Sequence, residues 1–355
     1  MRKLVTIRKI TALHEIENAD LIQLATVDGW QTVVKKNEFA VGDVGVYFEI
    51  DSFLSADDAR YSFLEKIKRE WQGNTGYRIK TIKLKKQISQ GLLLPLHLFP
   101  EIVEPQFDTD YSELLNVLKW EAAAGASLYS DAAGLFPAFI PKTDAERVQN
   151  SLRYYEDAFA AGEEFEVSVK CDGSSMTCYS DIRFNGEEDI GESDLYVGVC
   201  SRNYDLKLPQ PGEDVSSKFL QMFFELDIKT KLTKYYERTG KCIAIQGELI
   251  GKAIQANFEG IDGYKYVIFN VYDIEAKRYM NPLDRQICIT ELGLESVPIL
   301  HLNFKLPQNF RDVLAMADGP SAYGGKYREG IVFKSMSRDF CFKCISNAYL
   351  TKQND

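Results

Sequence analysis

Histidine is nearly absent: the 355-residue chain has three, His14, His97 and His301, all far from the motifs described below. Catalysis by histidine is therefore not expected. Long apolar runs are missing too. The longest, such as Gly91-Leu92-Leu93-Leu94-Pro95-Leu96, fall far short of the roughly 20 residues that cross a bilayer, so no membrane span is expected. The basic opening segment MRKLVTIRKI alternates apolar with polar residues and predicts a strand, not a secretory signal. No cysteine occurs before position 171, and the seven that follow are odd in number with no framework spacing. An intracellular, reducing compartment is the expectation. Cys341 and Cys344 form a CxxC pair, but no second pair or neighbouring histidine completes a zinc site.

A surplus of positive charge is also lacking. The formal net charge of -10 argues against coating nucleic acid by bulk electrostatics, because phosphate neutralisation needs clustered Lys and Arg. Any basic surface must be local. One candidate is the run Tyr77-Arg78-Ile79-Lys80-Thr81-Ile82-Lys83-Leu84-Lys85-Lys86, read as a basic strand with Trp71 nearby. The competing reading is a solvated edge strand kept soluble by its lysines.

What is present predicts two domains, since 355 residues with 45% hydrophobic content exceed the usual size of one. Short β-rich runs fill the first hundred residues: Leu4–Ile7, Leu21–Val27, Gln31–Val34 and Val44–Ile50. Asp28-Gly29 between the second and third is a hairpin signal. With the basic strand and Gly91–Leu96 the count is about five, that of an OB-fold barrel, expected over 1–104. Residues 105–136 read as a partly helical connector, alanine-rich from Trp120 to Ala126. A second domain, 137–355, is expected to open with a helix led by Thr143-Asp144-Ala145-Glu146-Arg147, where Thr143 and Glu146 make a capping-box pattern. Strands follow at Tyr266–Tyr272 and Gly330–Lys334. The fold class is thus α+β, an OB-fold barrel before a mixed, largely antiparallel sheet domain.

The chemistry concentrates in the second domain. Phe165-Glu166-Val167-Ser168-Val169-Lys170-Cys171-Asp172-Gly173 reads as a strand delivering a lysine into a tight turn, with Gly173 free to adopt positive φ. A lone KxDG recurs by chance, and an isolated lysine is ordinarily a surface residue. Here it heads an ordered set: Ser201-Arg202-Asn203, Gly247-Glu248-Leu249-Ile250-Gly251, the aromatic strand 266–272, Glu329-Gly330-Ile331-Val332, and Phe342-Lys343-Cys344-Ile345-Ser346.

In that order and spacing the chain resembles the covalent nucleotidyltransferases, the superfamily of RNA ligases, DNA ligases and capping enzymes, over roughly 137–350. Within it the chain is most similar to ATP-dependent RNA ligases with an N-terminal OB domain. Only 12 residues follow Lys343, so an OB barrel is expected before the motifs and not after them. The resemblance implies that Lys170 attacks ATP and carries AMP as a phosphoramidate. It implies that Asp172, Glu248 and Glu329 hold Mg²⁺ or Mn²⁺, often through waters, and that Lys343 contacts the α-phosphate. Nucleotide contacts are also implied for Val169, Arg147, Glu248, Lys326 and Glu329. Phe269 is expected to stack on adenine in preference to Tyr272, which lies on the opposite strand face. The 5′-phosphate of the substrate falls to Arg202, Asn203 and Ser175. One departure stands out: relatives have KxK in the last motif, whereas Cys341 and Ile345 flank Lys343 here, leaving Lys326, Arg328 and Lys334 as substitutes for the second lysine. The implied partner is nucleic acid, namely RNA ends or nicked RNA or RNA/DNA duplexes, engaged by a monomer with no membrane. A DNA ligase, an mRNA guanylyltransferase and a non-catalytic OB-type nucleic-acid-binding protein are the alternatives.

Overall fold

The computed structural model describes residues 2–121, 131–184, 193–210, 212–215 and 217–352. The chain divides into two compact units: Met1–Ala123 with Val148–Leu152 and Leu350–Asp355, and Ala124–Arg147 with Arg153–Tyr349. Among the described residues no helix is long and apolar enough to cross a membrane.

The first unit is the expected OB-fold. Strands β1 (Val5–Glu15), β2 (Ile22–Val27), β3 (Trp30–Lys35), β4 (Val44–Phe48) and β5 (Leu92–Pro95) form an antiparallel sheet in the order β5-β4-β1-β2-β3. A register shift between Ile10 and Ala12 divides β1: Val5–Lys9 pair with β4, and Ile10–Glu15 pair with β2. Such an irregularity lets one strand bend and serve two neighbours, which curls the sheet. Asp28-Gly29 is the two-residue turn joining Val27 to Trp30. A Cβ on Gly29 would lie 2.6 Å from the Cα of Gln149, so glycine is required for that close approach. Ser52–Ser55, Lys68–Trp71, Asn74–Arg78 and Leu118–Lys119 make a second sheet of the same unit. Trp30, Tyr47 and Phe48 are fully buried in this unit's core.

The second unit has two sheets. The first contains β6 (Glu164–Lys170), β12 (Ile299–Lys305), β13 (Gly330–Ser335) and β14 (Cys341–Ile345), in the order β14-β13-β6-β12. The other runs β9 (Tyr204–Leu206), β8 (Ser193–Cys200), β7 (Ser174–Phe184), β10 (Ile243–Gly251) and β11 (Tyr264–Asp273). Phe219, Leu220, Phe223 and Leu232, from helices at Lys218–Glu225 and Ile228–Thr239, share a buried core with Met176, Val199 and Ile245 of that sheet. Among the described residues pairing is antiparallel except for Glu146–Arg147 beside Phe342–Lys343 and Val267–Ile268 beside Glu295–Ser296.

Three local expectations need correction. Thr143–Arg147 does not start a helix: Glu146–Arg147 join the edge of the β14 sheet, and helix α1 begins only at Leu152. Sheet pairing satisfies the backbone groups that a helix cap would have served. The run Tyr77–Lys86 is not one strand either. It ends a strand at Arg78 and then forms a separate hairpin, Ile82–Leu84 with Gln87–Ser89, whose turn residues Lys85 and Lys86 both have positive φ. Gly173 is not among the glycines with positive φ. A Cβ there would lie 2.4 Å from the Leu249 carbonyl oxygen, so glycine serves close packing. The helical reading of Trp120–Ala126 falls largely on 122–130, outside the described residues.

Candidate active site

The site is built where the chain passes from one sheet to the other. β6 is buried along its length between β12 and β13, with Lys170 its last residue, paired to Gly330. Cys171–Gly173 turn the chain into β7, where Ser175 lies opposite Glu248 of β10. Glu329 directly precedes β13, so Lys170 at the end of one strand meets Glu329 at the start of its neighbour. The Lys170 ammonium donates to Glu329 Oε2 at 2.6 Å. Sequence separation is 159 residues, and sheet register alone brings them together.

Burial disfavours the Lys170 charge, but the carboxylates of Glu329, Glu248 and Asp172 outweigh it and hold the amine above its ordinary range. This is opposite to the lowering a nucleophilic amine needs. The carboxylates respond in kind. Burial first, then Glu329, pushes Asp172 up to about 6. Glu248 is pushed up to about 8 by burial, with Glu329 and Asp172 adding to the rise against the pull of Lys170. Asp172 Oδ1 accepts from the Tyr349 hydroxyl at 3.0 Å, whereas Oδ2 is buried with no partner among the described residues. Among the described residues no three His, Cys, Asp or Glu side chains stand as a ready-made metal ligand set. The arrangement is a concentration of carboxylate charge, with an orphaned oxygen, around one lysine.

The other predicted residues distribute as follows. Lys343 on β14 pairs across with Val332 and in parallel with Arg147. Its ammonium donates to Asp144 at 3.0 Å, while burial, followed by the charges of Lys170 and Arg147, works to lower its pKa. Val169 is buried, its N–H given to the Pro298 carbonyl. Phe269 sits at a register shift: Gln246 pairs with Asn270 and Gly247 with Ile268, so Phe269 is the extra residue of a bulge in β11. The bulge shifts the alternation, so Phe269 and Tyr272, expected on opposite faces, both lie on the Glu248 side: Phe269 is half-buried against the cluster of Val169, Ile250 and Val267, whereas Tyr272 packs edge-on against Tyr279.

The three substitutes for a second lysine are placed differently. Arg328 donates to the carbonyls of Met316, Ala317 and Asp318. Lys334 is half-buried, donating to the Phe269 carbonyl and the Asn270 side chain, and the loss of solvent around its ammonium pushes its pKa down to about 7. Lys326 is exposed, its ammonium 5.4 Å from the Tyr327 ring. Arg202 and Asn203 lie exposed in the turn between β8 and β9, with Arg202 close enough to act on the Glu248 charge.

Three contributors escaped the sequence. Glu259, fully buried, accepts the Asp172 backbone N–H at 3.2 Å and the Ser321 hydroxyl, bracing the turn that carries Lys170. Burial raises its pKa. Tyr349 fixes Asp172 from the other side. Lys142 donates to Asn203 Oδ1 at 3.0 Å. An ammonium can only donate, so this contact occupies the amide oxygen and leaves the two amide N–H groups for other acceptors. No motif or periodicity marks these three residues.

Comparison with known proteins agrees with the two-part reading. A family model described as RNA ligase matches residues 163–345, and one described as an OB-fold domain matches residues 4–96. No curated protein matches the chain. Among solved structures, the RNA ligase of Naegleria gruberi is similar over the whole length. A mutant of it with AMP and Mn is 40% identical, with 98% of each chain covered and a TM-score of 0.87. Another mutant with ATP and Mn is 39% identical, again with 98% of each chain covered and a TM-score of 0.87. The form with PPi is 39% identical, with 100% of each chain covered and a TM-score of 0.88. Identity at this level marks this chain as a relative of that enzyme.

Proposed function

Because the chain belongs to the RNA ligase family, we propose that it is an ATP-dependent ligase that seals a 3′-OH to a 5′-phosphate at nicks in duplexes whose 3′-OH strand is RNA. The observation that carries this reading is the Lys170–Glu329 contact at the crossover of the two sheets, within the field of Asp172 and Glu248. Three steps follow. The Lys170 amine attacks the α-phosphorus of ATP, forming the N–P bond as pyrophosphate leaves. AMP then passes to the 5′-phosphate of the substrate. Finally the 3′-OH attacks that activated phosphate and releases AMP.

Before the first step the Lys170 ammonium must lose a proton. Glu329 Oε2 already accepts the hydrogen bond from that ammonium. Asp172, Glu248 and Glu329 would hold a divalent cation, and the fit rests on their mutual repulsion and on the orphaned Asp172 Oδ2. When bound, such an ion offsets carboxylate charge, which weakens the hold on the ammonium, and offsets charge on the α-phosphate. Phe269, half-buried at its bulge, stacks on adenine, while Lys343 and Arg147 take phosphate oxygens. The 5′-phosphate is bound by Arg202 and by the amide N–H groups of Asn203, oriented by Lys142, beside Ser175. The seven free cysteines suit a reducing compartment.

Two nicked duplexes that differ only in the terminal 3′ sugar test the substrate assignment. Rapid sealing of the ribose-ended nick and slow sealing of the deoxyribose-ended nick is expected. Equal rates on both would replace this reading with a DNA ligase.

A further inference from the structure

The chemistry at Lys170 leaves a second constellation unused, on the four-stranded sheet of the first unit. Phe53, Arg69, Trp71, Gly76 and Arg78 share one face by pairing register, Phe53 opposite Arg78 and Arg69 opposite Gly76. Gly76 is required there: a Cβ would lie 2.2 Å from the Leu54 carbonyl oxygen and 2.7 Å from the Phe53 ring. The Trp71 and Trp120 indoles stack over Phe53, with centroids 5.0 Å apart and planes 29° from parallel. The Arg78 and Arg69 guanidinium carbons lie 5.0 Å and 5.5 Å from the Trp120 centroid. Arg78 is held by Asp51 at 2.7 Å, and the Trp71 indole N–H by the Glu121 carbonyl at 2.9 Å.

The two indoles are half-buried over the buried Phe53, and Arg69 is exposed. Lys80 lies close enough that Arg78 and Arg69 work, after its own burial, to lower its pKa. Lys83, Lys85 and Lys86, in the hairpin that follows Lys80 in the chain, are exposed. On a chain of net charge -10, Arg69, Arg78 and Lys80 are thereby gathered beside fixed π surfaces. A solvated edge needs lysines but not two stacked indoles clamped by arginines.

We propose that this face binds an unpaired RNA segment, its bases stacking on the Trp71–Trp120–arginine surface and its phosphates meeting Arg69, Lys80 and the hairpin lysines. Stacking on aromatic rings and guanidinium planes takes any base, whereas a stacked duplex offers no free base face. The site therefore selects an unpaired RNA segment beyond the nicked duplex. That biological use rests on the ligase reading; the binding itself does not.

The test uses the full chain and a fluorescent 5′-hydroxyl single-stranded RNA that cannot be joined, titrated by anisotropy. Trp71→Ala should weaken binding roughly 5- to 100-fold, the range for one lost stacking partner. The double change Arg69→Ala with Lys80→Ala, on exposed or partly exposed side chains, should weaken it and reduce the salt slope by about 0.7 per lost phosphate contact. Both variants should still take label from ATP at Lys170. Wild-type affinity in both variants, or equal binding of a blunt RNA duplex, overturns the proposal. If the wild type takes no label, the ligase reading fails, and the affinities still decide whether this face binds RNA.

Discussion

Glu259 is the residue whose removal is most informative, because it touches the nucleophile's turn and not the nucleophile. Its carboxylate accepts the Asp172 backbone N–H at 3.2 Å and the Ser321 hydroxyl, inside a fully buried pocket. Glu259→Ala leaves a part-buried N–H and a part-buried hydroxyl without their acceptor. Hydrogen bonds to a charged group contribute about 1.5–3 kcal/mol each, and the long Asp172 contact belongs at the low end, so a loss of about 3 kcal/mol is expected. For a unit of this size that lowers the melting temperature by about 6–12 °C. Lys170 would also lose its fixed approach, and AMP labelling of still-folded protein should fall by about 100-fold, as for misplacement by about 1 Å. Glu259→Gln keeps the shape and one acceptor oxygen, and should recover most of the stability. Scanning calorimetry and labelling rates below the transition measure both. Normal labelling by folded Glu259→Ala would refute a positioning role, whatever the stability loss.

Two further outcomes follow from buried charge. Glu166 and Arg285, each 2% exposed, pair between β6 and the helix Pro282–Glu291. Glu166→Ala strands the guanidinium and should cost about 3–5 kcal/mol, read by denaturant unfolding; a loss under 1 kcal/mol would show the pair to be solvated. The second concerns pH. Glu248 titrates at about 8 in the folded metal-free protein, against an ordinary value of 4.5, so folding favours its protonated form. Below pH 4.5 both states are protonated and it contributes nothing. As pH rises towards 8 the folded state increasingly holds a proton that the unfolded chain has released, which destabilises the fold relative to low pH. The melting temperature of the wild type minus that of Glu248→Gln should therefore fall between pH 5 and 8, and added Mn²⁺ should reduce the fall. A flat or rising difference would contradict the crowding of these carboxylates.

Much of the site was legible in the sequence because its motifs are short, collinear and fixed to strand ends. Lys170 closes β6, Glu329 precedes β13, and Glu248 sits mid-strand on β10, so sheet register alone delivers them to one place. Strand alternation puts Phe269 and Tyr272 on opposite faces, whereas the bulge that returns both to one face follows only from the pairing of β10 with β11. Glu259, Tyr349 and Lys142 were illegible for one shared reason: each reaches the site by a contact across 87, 177 and 61 residues. No local pattern encodes such a contact. Likewise Thr143–Glu146 carries a genuine capping pattern, yet the edge of β14 offered its backbone better partners. The OB-fold strands were readable from alternation and the Asp28-Gly29 turn, whereas the hairpin break in the basic run depended on positive φ at Lys85 and Lys86, which lysine does not advertise.

The central claim is that the Lys170 amine forms a covalent bond to AMP. Incubation of the wild type with α-labelled ATP and Mn²⁺, in the absence of RNA, should yield a stoichiometric, denaturation-resistant label that mass spectrometry maps to Lys170. The label should be absent from Lys170→Met and released as ATP on adding pyrophosphate. A label that persists in Lys170→Met, maps to another residue, or appears only with GTP would contradict the account.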